Sequence, residues 1–453
     1  MTAEMAWQQA QALDELPTGD ISHIPGRRGW PIVGDAFTFF NNPLPYMRRC
    51  MAEYGPVFRN RMGPMETVNI IHPDAQQLLT LDPDQLFSAG RGYGTSLGEF
   101  FPDGLLLRDF SDHRMHRRIM QTSFKNAQLD AYMPEIHRVM RRHVKSWRDQ
   151  GQIKFVPAIK AALLEVGSRV FLGMELGEAS DKINRSFIAM AEGSSTPLRF
   201  EIPGTVYYQG KRGYEYTTEY FRKQIPIKRA SDGNDMFTLF SKETDKEGNY
   251  FSDDDLVHHV NFLLFAAHDT TTSTLSSLFY ELTQRPDWME TCRAEVSALS
   301  QDQLCYADLD KLEQISYCFK ETLRMYPPVA GFARRNMREF EIMGYRIPEN
   351  STVSVSVVTS HRLEEFYRDP DEFDPTRFAP GREEHKAHPF AWFPFGGGAH
   401  KCIGVHFAEM LVKVALFEML REYDFSATTA PSRVRFVPFP KPVNDLPMAV
   451  SLH

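Results

Sequence analysis

The hydrophobic pattern of the chain is dominated by helical periodicity. Apolar residues recur every three or four positions in many segments, a spacing that predicts amphipathic helices. The predicted helices cover residues 43–54, 74–80, 112–123, 128–148, 156–173, 180–192, 211–225, 253–284, 286–299, 308–326 and 405–422. Short β-rich runs predict strands in PVFRNRM, ETVNIIH, EFEIMGYRI, STVSVSVV, VRFVPF and PMAVSL. The sequence therefore predicts a mainly α fold with small β-sheets.

The longest predicted helix has an unusual centre. It runs from Asp253, which we expect to cap its N-terminus, to Arg285, a length of about 48 Å at 1.5 Å per residue. Its middle reads FAAHDTTTSTLSS, and the hydroxyl of Thr270 can bond back to the carbonyl of Ala266. A polar stripe facing solvent would explain this pattern, but the apolar flank NFLLFAA favours a buried polar site at Asp269 and Thr270.

Composition limits the classes of protein. The 453 residues contain no linker or repeat, so we expect one domain over 1–453 with an irregular lead-in over about 1–40. A net charge of −8 argues against nucleic-acid binding. Five cysteines without a C-x-x-C pair predict a cytoplasmic protein with reduced thiols. No run of 18 apolar residues occurs, so no membrane span is predicted, and 34 Phe and 20 Met predict an interior that can enclose an apolar ligand.

One loop carries the strongest chemical signal. In FPFGGGAHKCIG, three consecutive glycines precede Cys402, and a predicted helix follows. A cysteine among the free backbone N–H groups at a helix start is expected to favour the thiolate. Such a thiolate is a nucleophile, a redox group or a metal ligand, and the loop alone does not distinguish them.

Three further segments are weak signals when each is taken alone. KETLR sets Glu321 and Arg324 three residues apart on one helix face, which an ordinary surface ion pair would explain. DHRMHRR sets His113 and Arg117 on one face, as exposed basic stripes also do. EFDPTRF holds Arg377 in a turn-rich segment that would equally fit a loop packed on the core.

Together these segments resemble the cytochrome P-450 family. The cysteine loop is similar to the family's haem-binding pattern F-x-x-G-x-[R/H]-x-C-x-G, matched at Phe395, Gly398, His400, Cys402 and Gly404. AAHDTT resembles the family's oxygen-activation motif, and KETLR with EFDPTRF resembles its Glu-Arg-Arg cluster. The resemblance implies the family's fold, with a long helix over haem b, and a monooxygenase that inserts one atom of O2 into an apolar substrate.

The resemblance also implies roles for individual residues. Cys402 would be the axial thiolate ligand of the haem iron, Thr270 would bind the oxygen or an ordered water, and Asp269 would relay protons. The expected haem contacts are Ala266, Phe395, Gly404 and, for the propionates, His113, Arg117, Arg335 and His400. Three positions depart from the family pattern: His400 is more often Arg, Ala267 more often Gly, and Thr376 more often Glu.

Electrons must come from a separate protein, because no flavin, nicotinamide or iron–sulfur motif is present. Between residues 114 and 148 the chain carries nine basic residues against two acids. These are Arg114, Arg117, Arg118, Lys125, Arg138, Arg141, Arg142, Lys145 and Arg148. We predict that part of this surface, with Lys401, docks an acidic ferredoxin or flavodoxin. A solvated helix face is the alternative.

The substrate prediction depends on one segment. FEIPGTVYYQGKRGYEY, residues 200–216, resembles the P-G-T-x-[F/Y] lid of the branch that oxidises retinoids, sterols and plant hormones. This implies substrate contacts at Ile202, Thr205 and Val206, a second flexible wall over residues 92–104, and a bulky isoprenoid substrate. The alternative within this chemistry is fatty-acid hydroxylation, with Arg91 or Arg199 holding the carboxylate.

Two other classes remain open. A peroxygenase would use hydrogen peroxide and need no electron donor, although such relatives typically lack the acid-threonine pair of Asp269 and Thr270. A non-catalytic haem-thiolate sensor would keep Cys402 without needing a proton relay.

Overall fold

A computed structural model describes residues 19–63, 65–196 and 199–453, so the first 18 residues of the predicted lead-in lie outside it. The helices of these residues are α1 Ala36–Asn41, α2 Pro43–Tyr54, α3 Pro73–Leu81, α4 Ala89–Leu97, α5 Phe110–Met120, α6 Asn126–Gln150, α7 Phe155–Val166, α8 Glu178–Ser195, α9 Val206–Ala230, α10 Met236–Lys242, α11 Asp253–Leu282, α12 Pro286–Ser297, α13 Glu313–Met325, α14 Val357–Ser360 and α15 Val405–Leu420. The fold is mainly α, as predicted.

The strands are short and form four sheets within the described ranges. They are β1 Val57–Met62, β2 Met65–Ile70, β3 Phe87–Ser88, β4 Gln152–Lys154, β5 Phe332–Asn336, β6 Phe340–Ile342, β7 Tyr345–Ile347, β8 Thr352–Val355, β9 Tyr423–Ala427, β10 Val434–Arg435, β11 Lys441–Pro442 and β12 Pro447–Leu452. The largest sheet has the order β1-β2-β8-β5-β3, and β4-β12-β9, β6-β7 and β10-β11 form the others.

Most predicted helices are present, but the pattern missed four short ones, among them α14, which begins inside the predicted strand STVSVSVV. Helices α1, α4 and α10 have six, nine and seven residues, too few for several periods of an apolar stripe. The segment predicted as a flexible wall over residues 92–104 begins inside α4, whose N-terminus is capped by the hydroxyl of Ser88. Strands β3, β4, β5, β9 and β11 were also missed, and VRFVPF forms only the two-residue strand β10.

Helix α11 is the longest helix of the described residues, and its first turn is acidic. Its cap is Ser252, whose hydroxyl accepts the Asp255 N–H at 3.0 Å, and not Asp253 as predicted. Serine fits this position because its short side chain reaches back to the third helical N–H. The helix contains 30 residues and packs against α7, α9 and α13.

Helix α15 follows the cysteine loop and is buried along nearly its whole length. It packs against α6 and α13, and these helices belong to the main hydrophobic core. The cysteine loop therefore leads into a helix that is packed in the core, and the loop faces α11. Across residues 19–63, 65–196 and 199–453 we find no helix that combines the length and the apolar character needed to cross a membrane.

Candidate active site

A cavity of about 720 Å³ lies between α11 and the cysteine loop. The α11 side contributes Ala266, Ala267 and Thr270, and the opposite side contributes Cys402 and Gly404. The fold therefore brings the two strongest sequence motifs to opposite walls of one cavity.

The cysteine loop is held by its own backbone. The Cys402 N–H donates to the carbonyl of Phe395 at 2.8 Å, which closes the loop before α15. Gly398 has φ +59°, and a Cβ there would lie 1.7 Å from the Thr80 carbonyl oxygen at the end of α3. Glycine is therefore required at position 398, because a side chain there would collide with α3. Gly404 borders the cavity, and among the described residues only Phe124 lies within 4 Å of a Cβ at that position.

Cys402 is exposed in the protein alone, and it lines the cavity. Burial raises the pKa of this thiol, although the Gly404 N–H and the charges of Arg117 and Lys401 act in the opposite direction. The expectation that the helix start alone favours the thiolate is therefore wrong. A metal cation bound to this sulfur would favour its deprotonated form.

Basic and imidazole side chains line the wall beside Cys402. The rings of His113 and His400 stack with centroids 4.0 Å apart, and Arg117 also borders the cavity. Both ring nitrogens of His113 are buried without a hydrogen-bond partner in the described part of the chain. Burial and neighbouring cations lower the pKa of His113 to about 4 and that of His400 to about 2, so both rings are neutral at pH 7.

The arginine of strand β5 that borders the cavity is Arg334, not the predicted Arg335. Arg334 is 4% exposed and donates to the Ala333 carbonyl at 2.8 Å. The Arg335 side chain instead reaches toward the Asn350 carbonyl, at 3.4 Å. Successive side chains of a strand point to opposite faces, so a shift of one residue exchanges the two arginines.

On α11, Thr270 faces the cavity and Asp269 faces away from it. Thr270 borders the cavity, and its hydroxyl donates to the Ala266 carbonyl at 2.8 Å, as predicted. Asp269 does not border the cavity and instead accepts from the ammonium of Lys160 at 2.9 Å, with the His268 ring 3.4 Å away. Although burial opposes ionisation, these two partners lower the pKa of Asp269 well below its usual range. Lys160, on α7, had no signal in the sequence, where it resembles any exposed lysine.

The pair that resembled a surface ion pair is fully buried. Glu321 and Arg324 are 0% exposed and form two hydrogen bonds of 2.7 and 2.8 Å. Arg377, 1% exposed, donates to the same carboxylate at 3.3 Å. The guanidinium groups also donate to backbone carbonyls of residues 361, 369 and 370. The Glu-Arg-Arg cluster thus joins α13 to the segment that leads into the cysteine loop.

The predicted substrate contacts lie away from the cavity wall. Ile202 and Val206 are 58% and 45% exposed, and Thr205 caps α9 by accepting the Tyr208 N–H at 3.2 Å. The two arginines of the fatty-acid alternative already have partners. Arg91 donates to the Asn350 side chain at 2.9 Å, and Arg199 lies 3.4 Å from the Glu99 carboxylate.

Comparison with known proteins identifies the family. The Cytochrome P-450 family model matches residues 24–209 and 211–439. The chain belongs to the cytochrome P-450 family. Cytochrome P-450 136 of Mycobacterium tuberculosis is 33% identical over 446 residues, which cover 97% of this chain and 90% of that protein. Taxane 13-alpha-hydroxylase of Taxus cuspidata is 25% identical over 448 residues, covering 94% and 91% of the two chains.

A solved structure shares the fold of this cytochrome P-450. It is titled "Retinoic acid bound cyanobacterial CYP120A1" and superposes with a TM-score of 0.87 at 24% identity, covering 95% of this chain and 99% of that chain. Membership of the family makes this protein a monooxygenase that carries haem b.

The residues of this cytochrome P-450 fit that cofactor. Haem is flat and largely apolar, with two carboxylates and an iron that a thiolate can ligate. The cavity offers the Cys402 sulfur, glycine at position 404 and the unpartnered ring nitrogens of His113. Arg117 and Arg334 supply positive charge at the same wall.

Proposed function

We propose that this cytochrome P-450 inserts one oxygen atom from O2 into a bulky, apolar isoprenoid. The observation that carries the proposal is the lining of the cavity on the α11 side, where aromatic and aliphatic side chains predominate. They include Leu97, Leu105, Leu106, Phe262, Phe265 and Val437. The names of the taxane hydroxylase and of the retinoic acid-bound structure support the same class of substrate.

Cys402 would hold the haem iron, and His113, Arg117, Arg334 and His400 would contact the propionates. When bound, the haem supplies activation of O2, and its thiolate ligand favours cleavage of the O–O bond. Arg334 takes the place of Arg335 in this proposal because it borders the cavity. Ala266 lines the cavity on the α11 side, opposite Cys402, where its small side chain would leave room for O2 beside the haem.

Asp269 and Thr270 would deliver protons from two sides of α11. The Asp269 carboxylate pairs with the ammonium of Lys160, whose side chain is 32% exposed, and the pair would exchange protons with solvent on that side. The Thr270 hydroxyl borders the cavity and can donate to bound oxygen or to an ordered water. Adjacent positions on a helix point about 100° apart, so the pair connects the outside of the helix with the cavity.

An acidic ferredoxin or flavodoxin would dock beside the cysteine loop. Five of the nine basic residues predicted for this surface are engaged elsewhere: Arg117 lines the cavity, and Arg138, Arg141, Arg142 and Arg148 pair with acids. The other four, Arg114, Arg118, Lys125 and Lys145, are exposed and make no ion pair within the described ranges, and the same holds for Lys401. These residues form a smaller basic surface, suited to electrostatic attraction of an acidic partner. We also propose a cytoplasmic location, where five unbridged cysteines stay reduced.

The docking proposal is tested by reduction kinetics. Arg118→Glu with Lys125→Glu should slow reduction by an acidic ferredoxin and remove its dependence on ionic strength. Lys223→Glu, a charge reversal on α9 at a side chain 70% exposed, is the matched control and should leave the rate unchanged. Equal rates in all three proteins would exclude this surface.

The substrate proposal is tested by optical titration of the ferric protein. The panel contains retinoids, sesquiterpenes, diterpenes, steroids and fatty acids, and a saturable shift to high spin reports displacement of water from iron. A shift with one isoprenoid or polycyclic class supports the proposal. A shift with fatty acids alone would contradict it and favour a carboxylate-anchored tunnel.

A further inference from the structure

Four polar side chains meet next to Ser96 and Leu97, which line the rim of the cavity; the four themselves do not line it. The Glu99 carboxylate accepts a short hydrogen bond from the Tyr207 hydroxyl. The guanidinium of Arg199 lies 3.4 Å and the ammonium of Lys211 3.6 Å from the same carboxylate. The hydrogen bond from Tyr207 lowers the pKa of Glu99, and in return the pKa of Tyr207 rises to about 12. Glu99 is therefore ionised and already satisfies both cations.

This cluster is adjacent to the space that the substrate would occupy. Arg199 also donates to the carbonyl of Ser96 at 3.3 Å, and Ser96 and Leu97 line the cavity. The position of Glu99 is fixed by its neighbour Phe100, which is 0% exposed and packs edge-on against Tyr207 at 5.6 Å. The backbone beside Glu99 is therefore anchored in the core, while its side chain is 42% exposed.

The basic and imidazole side chains that line the cavity are on its Cys402 side. His113, Arg117, Arg334, His400 and Lys401 are the basic or imidazole side chains that line it within the described ranges, and the cysteine-loop wall holds them where the haem propionates are proposed to lie. Residues 1–18, 64, 197 and 198 contain no Lys, Arg or His, so they add no further cation. A substrate carboxylate at the Ser96 edge, remote from the haem, would meet Arg199 and Lys211 as the cations of this cluster.

We propose that Glu99 determines specificity by making this site selective for uncharged substrates. The inference rests on the proposed function, and it adds that the isoprenoid is an alcohol, aldehyde or hydrocarbon rather than an acid. An ionised carboxylate inside an apolar cavity is costly unless it is paired. At the rim it would compete with Glu99 for the same two cations and be repelled by it.

The test uses pairs of ligands that differ only in charge. The ferric protein is titrated with retinol against retinoic acid, and with hexadecanol against palmitic acid, at a pH where both acids are ionised. We expect the uncharged member of a pair to bind at least about tenfold more tightly, as judged by the high-spin shift. Equal or tighter binding of the acids to the wild-type protein would overturn the proposal.

Variants of the cluster make the test specific. Glu99→Gln keeps the hydrogen bond from Tyr207 but releases Arg199 and Lys211, so binding of the acids should improve about tenfold while binding of the alcohols stays unchanged. Adding Arg199→Gln should remove this gain. Glu201→Gln, an exposed acid of the neighbouring lid segment, is the matched control and should change neither class. Equal behaviour of the two glutamate variants would overturn the role of Glu99.

The same titrations separate this inference from the proposed function. If hexadecanol is preferred over palmitic acid but no retinoid or other isoprenoid binds, the isoprenoid proposal fails and the selectivity for uncharged ligands stands. If isoprenoid acids bind as tightly as the alcohols, the isoprenoid class stands and the selectivity fails. The absorption band of the ferrous carbon monoxide complex, measured for every variant, checks that the haem site is intact.

Discussion

The backbone N–H of Phe393 donates to Nε2 of His361 across 2.8 Å, in the segment that leads into the cysteine loop. The Nδ1 atom of the same ring lies 3.2 Å from the carbonyl of Arg324, near the end of α13. Because Nε2 accepts, the proton of the neutral ring must be on Nδ1, where it is donated to that carbonyl. One imidazole thus ties the Glu-Arg-Arg cluster to the loop that carries Cys402.

Removing this imidazole should weaken the haem site through the loop. His361→Leu leaves the Phe393 N–H and the Arg324 carbonyl buried without partners, which we expect to cost about 2–4 kcal/mol of unfolding free energy. Urea unfolding measures this loss, and transfer of haem to excess apomyoglobin should become faster. His406→Leu, an exposed histidine on α15, is the control and should shift stability by less than about 0.5 kcal/mol. Equal stability of the two variants would contradict the role of His361.

The same residue predicts a dependence of stability on pH. Burial, together with the charges of Arg324 and Arg362, lowers the pKa of His361 from 6.5 to about 3. Between these values the unfolded chain binds a proton that the folded protein does not, so stability is lost as the pH falls below about 6.5. For this group the loss is about 1.4 kcal/mol per pH unit. Urea unfolding at pH 7.5 and 5.5 should show a smaller loss in His361→Leu than in the wild type; equal losses would exclude His361 as a source.

The buried carboxylate of Glu321 should be essential for folding. Glu321→Gln leaves the guanidinium groups of Arg324 and Arg377 without a counter-charge at 0–1% exposure, and we expect a loss of about 3–5 kcal/mol. Glu219→Gln breaks an exposed pair with Lys223 and should cost about 0.5 kcal/mol or less. Urea unfolding of the two variants compares a buried with an exposed ion pair. Similar losses would show that burial of the cluster has no special effect on stability.

The threonines of α11 allow a matched test of proton delivery. Thr270→Ala removes a hydroxyl at the cavity, and we expect product per electron consumed to fall by roughly tenfold or more. Thr272→Ala removes a hydroxyl that bonds the His268 carbonyl at 2.9 Å in the same way but is buried away from the cavity. It should leave the ratio near the wild-type value. Unchanged coupling in Thr270→Ala would contradict the relay and favour a haem-thiolate sensor.

Cys402 is expected to be indispensable for the chemistry. Cys402→Ser replaces the thiolate by a much weaker electron donor, so monooxygenase activity and the characteristic absorption band of the ferrous carbon monoxide complex should both be lost. Cys305→Ser changes an exposed thiol elsewhere and should retain both. A variant without Cys402 that kept full activity would exclude it as the iron ligand.

Within a contiguous motif, the sequence could predict which residues lie close together. The cysteine loop and the Asp269–Thr270 pair could be read directly, because their spacing within a loop or a helix fixes which residues face together. Lys160 could not be found in this way, since its distance to Asp269 depends on how α7 packs against α11. Arg334 and Arg335 could not be distinguished, because the missed strand β5 left the direction of successive side chains undefined.

The lid prediction shows another limit of sequence patterns. The segment around Thr205 resembles a substrate-binding lid, but in the structure its hydroxyl caps α9, and Ile202 and Val206 face outward. A local motif gives the identity of the residues, whereas their direction depends on how the helix that follows is oriented.

The ring of Phe100 lies between α8 and α9, where Gly193 and Gly210 approach closely. A Cβ at either glycine would lie within about 3 Å of this ring, so the aromatic side chain fills the space that two missing side chains leave. The segment after α4 is thereby packed between α8 and α9. It cannot move outward unless these two helices move with it or the fully buried Phe100 ring becomes exposed. Outward movement of this segment would therefore be a collective motion with α8 and α9, and such motions occur on the microsecond-to-millisecond scale.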